Sequence, residues 1–164
     1  MLFRSWRTRS WFSSEVPDTH VLQVAGEGGW SVRVAGNVAS MLKADAEHWL
    51  PLETGGALVG HVDALSRTIY IADIVGAPDD SERALARFVL GTQGLGHALR
   101  QAHADSVGYL RYLGTWHSHP LGGSHSEIDF ETLQRLASFS PGLPVVSLVW
   151  TATGMHCEVG RFEL

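Results

Sequence analysis

Two histidines separated by one residue, His117 and His119, follow a stretch that reads as a strand over residues 109–116. Side chains two apart on a strand leave the same face, so both imidazoles can reach one metal ion. Pro120 then ends the strand and turns the chain away. Asp129, ten residues after His119, falls in the first turn of a helix expected over residues 126–139. From there it can swing back to supply a carboxylate oxygen. Two nitrogens and one oxygen leave a fourth tetrahedral position for water, the ligand pattern of a catalytic rather than a structural zinc site. Zinc lowers the pKa of such a water to about 7. A base must still take its proton, and Glu53 is the carboxylate best placed by pattern. It stands in Leu52-Glu53-Thr54-Gly55-Gly56, just before a glycine-started strand whose bare backbone can pass close to a neighbour or a ligand. Ser126, at the helix start, would point its hydroxyl toward the metal, where it can hydrogen-bond a developing oxyanion.

Plainer readings stand beside these. Ser126-Glu127-Ile128-Asp129 is also a helix-start capping sequence, which accounts for Ser126 and Asp129 without a metal. A lone glutamate before Thr-Gly-Gly is ordinarily a solvated loop residue. The chain has nine histidines, so an H-x-H pair can arise by chance. What the plainer readings do not supply is all five residues in this order. His125, in the loop, is read as solvent-exposed, with substrate contact as the alternative. Trp116 precedes His117 and so faces the other side of the strand, toward the core.

The elements that must position these residues alternate. Residues 21–25 and 30–35 read as strands separated by a turn at 26–29. Asn37 looks like the N-cap of a helix through about Trp49, with Val38, Met41, Leu42, Ala46 and Trp49 on its apolar face. Residues 55–62 and 68–75 read as a pair of short apolar strands. Residues 82–104 read as a mostly helical stretch that its glycines can break near the middle. The segment 76–96 reads equally as a mobile substrate-contacting segment or a solvated helix. Residues 145–150 read as a buried strand and 155–162 as a closing edge strand. Interleaved strands and helices predict an α/β or α+β fold, a sheet with flanking helices.

At 164 residues the chain suits one domain, expected over residues 19–164 behind a frayed tail at 1–18. That tail carries Arg4, Arg7 and Arg9 with Trp6 and Trp11 but no continuous apolar run, so it lacks a secretory pattern, and nothing in the chain reaches membrane-spanning length. A net charge of -5 argues against a nucleic-acid partner, which would call for a basic stripe. Cys157, the single cysteine, cannot form an internal disulfide, reads as a small buried hydrophobe, and fits a reducing, cytoplasmic compartment.

The combination of E-T-G-G-x-L-x-G at 53–60, H-S-H-P at 117–120 and S-x-x-D at 126–129 resembles the JAMM, or MPN+, zinc metallopeptidases. These include deubiquitinases of the proteasome lid and signalosome. The stretch Leu113-Gly114-Thr115-Trp116-His117-Ser118-His119-Pro120 is most similar to the bacterial branch that accompanies ubiquitin-like conjugation enzymes. The resemblance covers roughly residues 20–164. It implies a curved mixed β-sheet flanked by helices, of the cytidine-deaminase-like kind. It implies one zinc ion per chain on His117, His119 and Asp129, a catalytic water, Glu53 as general base and Ser126 as oxyanion donor. It departs from the family in one place: Ser126 stands seven residues after His119, one fewer than usual. The shortening falls within residues 121–125, where Gly122 and Gly123 can absorb it, and Ser124 is the alternative hydroxyl. The implied substrate is a ubiquitin-like or sulfur-carrier protein ending in a Gly-Gly tail, met beside activating and conjugating enzymes, as in bacterial antiphage conjugation systems. Release of an amino acid such as cysteine from a sulfur carrier is the alternative. A silent scaffold of the same fold is a further one.

Overall fold

The computed structural model describes residues 2–4, 11–13, 19–23 and 29–161, the first three segments as backbone only. In chain order the strands and helices are β1 (Leu2–Arg4), β2 (Trp11–Ser13), β3 (Thr19–Gln23), β4 (Ser31–Ala35), α1 (Gly36–His48), β5 (Gly55–Asp63), β6 (Thr68–Gly76), β7 (Glu82–Ala84), β8 (Arg87–Val89), α2 (Leu95–Asp105), β9 (Arg111–Ser118), α3 (Glu127–Ser138), β10 (Val145–Thr151) and β11 (Gly154–Gly160). The expected tail at 1–18 and turn at 26–29 lie largely outside the described residues. Of the tail, the antiparallel pairing of β1 with β2 is described.

Seven strands form one mixed sheet in the order β11-β10-β9-β5-β6-β4-β3. Two pairs run parallel, β9 with β10 and β4 with β6, and each is bridged by a helix-containing crossover. Parallel neighbours require such a connection, and α3 supplies it between β9 and β10. The edge strands β11 and β3 approach each other, so the sheet curves nearly into a barrel flanked by helices. This is the α+β architecture the sequence predicts, with the expected closing edge strand found as β11 over Gly154–Gly160.

Alternation builds the core. Val32 and Val34, Ile69 and Ile71, and Val146 and Leu148 project from their strands onto one buried cluster. Val38 and Leu42, four residues apart on α1, complete it from the helix side, and Ala46 on the same face is also buried. Met41 is instead 41% exposed, and Trp49 closes the helix as its C-cap. Cys157 is buried and free, as expected.

Two strands carry an irregularity in register. Between β5 and β9, Leu58 faces Gly114 while Val59 faces Tyr112, leaving Leu113 as an extra residue on β9. Such a bulge bends the strand and raises its local twist. Gly114, next along, has φ 141°, and a side chain there would collide with the Val146 backbone on β10. Only glycine lets β9 and β10 meet at that point.

Two expectations fail. Helix α1 begins at Gly36 with Ala35 in the cap position and no side-chain cap, so Asn37 lies inside the helix. The long helix expected over 82–104 is a β7–β8 hairpin followed by a helix confined to Leu95–Asp105. The segment is rich in helix formers, but Arg83 and Phe88 find tertiary partners that a helix would separate, and packing overrides propensity.

Candidate metal centre

His117 and His119 emerge at the end of β9, and their ring nitrogens converge. His117 Nε2 lies 2.9 Å from His119 Nε2 and 3.2 Å from Asp129 Oδ1. His119 Nε2 lies 3.7 Å from Asp129 Oδ2. Donors bound to one tetrahedral zinc at about 2.0–2.1 Å sit about 3.3–3.4 Å apart, so these three fit a single ion. One ligand atom from each residue lies within 4.8 Å of the others. The group could therefore hold a metal.

Asp129 is placed by the start of α3. Its Oδ2 accepts from Ser126 N at 2.7 Å and Ser126 Oγ at 2.8 Å, while Asp129 N donates to Ser126 Oγ at 3.3 Å. This is a capping box. The plainer reading of Ser126-Glu127-Ile128-Asp129 is realised, and it leaves Asp129 Oδ1 directed at His117, where it could serve as a ligand. Burial pushes the Asp129 carboxyl upward, but the His117 hydrogen bond and charge and the Ser126 donors outweigh it. They hold the group well below the usual carboxylate range.

Burial and the neighbouring His117 push His119 below its ordinary pKa, against the pull of Asp129. A neutral ring is the form that coordinates metal. Trp116, between Thr115 and His117, is fully buried in the core cluster on the opposite face.

Glu53 reaches the site through a ladder of contacts. Gly55 on β5 stands opposite His117 on β9. Beyond the last ladder pair, Thr54 N donates to Ser118 Oγ at 3.0 Å and Ser118 N to the Thr54 carbonyl at 2.8 Å. Glu53 is only 9% exposed, so it is no solvated loop residue. Burial raises its pKa, the His117 charge lowers it and Asp129 raises it again, with burial prevailing.

Glu53, His117, His119, Ser124, Ser126 and Asp129 line one cleft of about 440 Å³. All five residues singled out for chemistry thus meet, together with the alternative hydroxyl. The sequence reading missed two features. Ala86, Arg87, Phe88 and Leu90 from the hairpin region form another wall of the cleft. His125, expected in solvent or on substrate, is half-buried, with Nε2 3.1 Å from both the carbonyl and the hydroxyl of Ser147 on β10. That contact fastens the shortened loop to the sheet. Burial pushes the His125 pKa down. The signal for the hairpin was the aromatic and β-branched pair Phe88-Val89 ahead of Gly91; nothing local marks the His125 contact.

Residues 37–160 match the family described as prokaryotic homologs of the JAB domain, and the chain belongs to it. The solution structure of protein DSY2949 from Desulfitobacterium hafniense has a similar fold, with TM-score 0.53 at 19% identity, covering 79% of this chain and 88% of that one. None of the curated proteins matches the chain. Among the described residues no helix is long and apolar enough to cross a membrane.

Proposed function

We propose that the chain is a zinc-dependent peptidase that hydrolyses the bond after the C-terminal Gly-Gly of a ubiquitin-like or sulfur-carrier protein. The observation that carries the reading is the convergence of His117, His119 and Asp129 in the cleft that a buried glutamate, Glu53, also lines. His117 Nε2, His119 Nε2 and Asp129 Oδ1 would hold the ion. When bound, zinc supplies Lewis acidity, lowering the pKa of a water and polarising a carbonyl.

The remaining work falls to the chain. Glu53, its pKa lifted by burial, takes the proton of the attacking water and returns it to the departing amine. Ser126 Oγ, whose one hydrogen goes to Asp129 Oδ2 in the capping box, becomes the donor for the oxyanion by turning that hydrogen into the cleft. A tail of two glycines is thin and extended. The β7–β8 hairpin forms a two-stranded sheet of its own beside the cleft and can hold such a tail by strand addition. The family and the buried, unpaired Cys157 favour a bacterial cytoplasmic setting beside activating and conjugating enzymes, of the kind used in ubiquitin-like antiphage conjugation.

The test is intact-mass analysis of ubiquitin-like and sulfur-carrier proteins extended beyond Gly-Gly, incubated with wild type, Glu53→Gln and chelator-treated protein. Cleavage after the second glycine by zinc-loaded wild type alone supports the reading. An amino acid released from the sulfur carrier alone assigns the processing role. Zinc-free protein that cuts nothing replaces the peptidase with a scaffold.

A further inference from the structure

We infer that Arg83 is a positioning residue for Glu53, an inference that rests on the proposed role of Glu53 as the base. Arg83 is on β7, outside the cleft, and touches none of the metal-ligand candidates. Its guanidinium carbon lies 3.9 Å above the Trp49 ring and 6.0 Å from the Phe88 ring centre. Its Nε donates to Thr54 Oγ1 at 3.3 Å, and Thr54 Oγ1 in turn donates to Asp45 Oδ2 at 3.3 Å. The residue after Arg83 supplies the carbonyl of Ala84, which accepts from Glu53 N at 2.8 Å.

The hairpin is thereby joined to the segment carrying Glu53 by a side chain and a backbone bond from adjacent residues. Arg83 grips the residue after Glu53 from one side while the Ala84 carbonyl holds Glu53 itself. A planar cation over an aromatic face is directional, so the stack on Trp49 fixes the hairpin's approach to the C-terminal end of α1. Phe88, opposite Arg83 across the hairpin, packs where a side chain on Gly55 would stand. A glycine at 55 is required for that contact, which ties the Gly-Gly of the sequence to the hairpin as well as to the cleft. Displacing Arg83 frees Glu53 N–H and the orientation of its carboxylate while leaving His117, His119 and Asp129 in place.

The test compares wild type with Arg83→Met, Arg83→Lys and Trp49→Leu in the full chain. Amide hydrogen exchange, read per residue by NMR, needs no substrate. In Arg83→Met the Glu53 amide is expected to exchange about tenfold faster or more, with α1 and the middle of β5 unchanged and zinc bound as in wild type. Turnover falls about tenfold at constant KM, and Arg83→Lys, which restores charge without the planar fork, recovers part of it. Trp49→Leu reproduces the exchange effect and decides the matter if Arg83→Met does not fold. Unchanged Glu53 protection overturns the inference, as does faster exchange spread evenly over α1 and β5. A wild type that cuts nothing sinks the peptidase reading, while the exchange result still decides whether Arg83 holds Glu53.

Discussion

Ser126 gives both its backbone N–H and its hydroxyl to a single oxygen of Asp129, Oδ2, at 2.7 and 2.8 Å. The other oxygen, Oδ1, is left to face His117. The capping box is thus the device that aims a candidate metal ligand, and helix stability and the orientation of that carboxylate depend on the same hydroxyl.

Replacing Ser126 by alanine is accordingly expected to do three things together. Loss of the cap costs about 0.5–2 kcal/mol of stability. Loss of the oxyanion donor lowers turnover by on the order of a hundredfold. Freed from one donor, Asp129 Oδ2 competes for the ion and zinc affinity falls. Urea melts, single-turnover rates and chelator competition separate the three, and undiminished turnover would transfer the oxyanion role to Ser124.

His119→Ala removes one of three converging donors and is expected to abolish stoichiometric zinc. Metal content by mass spectrometry of the native protein checks this. Zinc retained at one per chain would show that the ion sits elsewhere.

Glu53→Gln preserves shape and removes the proton acceptor. Zinc content should stay at the wild-type level while turnover drops by on the order of a hundredfold or more. A variant as active as wild type would strip Glu53 of its role as base.

High pH should unfold the protein through two groups outside the site. Burial pushes the Cys157 thiol, ordinarily 9.0, up to about 12, with the neighbouring Glu158 charge adding to it. It pushes the Tyr112 hydroxyl, ordinarily 10.0, up to about 12 as well. Each folded-state pKa is raised, so the unfolded chain releases its proton first. Stability is complete below the unfolded values and declines from about pH 9 upward, at about 1.4 kcal/mol per pH unit for each group in that window. Urea midpoints from pH 7 to 11 measure the decline. Cys157→Ala should make it shallower between pH 9 and 10, and an unaltered slope would contradict the assignment to Cys157.

The site was more legible in the sequence than the wall beside it. His117, His119 and Asp129 declare themselves because strand periodicity and a helix start are local properties, readable within a dozen residues. Glu53 was legible from Gly55 and Gly56, whose missing side chains the structure requires: one would strike Phe88, the other the Trp116 indole. The β7–β8 hairpin was marked locally only by the short pair Phe88-Val89, because its cause is distant. Arg83 turns to Trp49 and Thr54, partners some thirty residues earlier, and no pattern within residues 82–89 announces them. His125 was misread for the same reason, since its partner Ser147 arrives only when β10 pairs beside β9. Asn37 failed as a cap for a simpler reason: the helix starts one residue before it without help from any side chain.

The extra residue at Leu113 governs which way the chemistry faces. Along a strand the two faces alternate with strict parity, and an inserted residue reverses that parity for everything downstream. With Leu113 in place, Trp116 points inward and His117 and His119 point to the cleft. Leu113 is itself buried in the core cluster beside Trp116, three positions on, a spacing that an unbroken strand would place on opposite faces. One extra position, four residues before His117, therefore acts as the phase setting of the candidate metal centre.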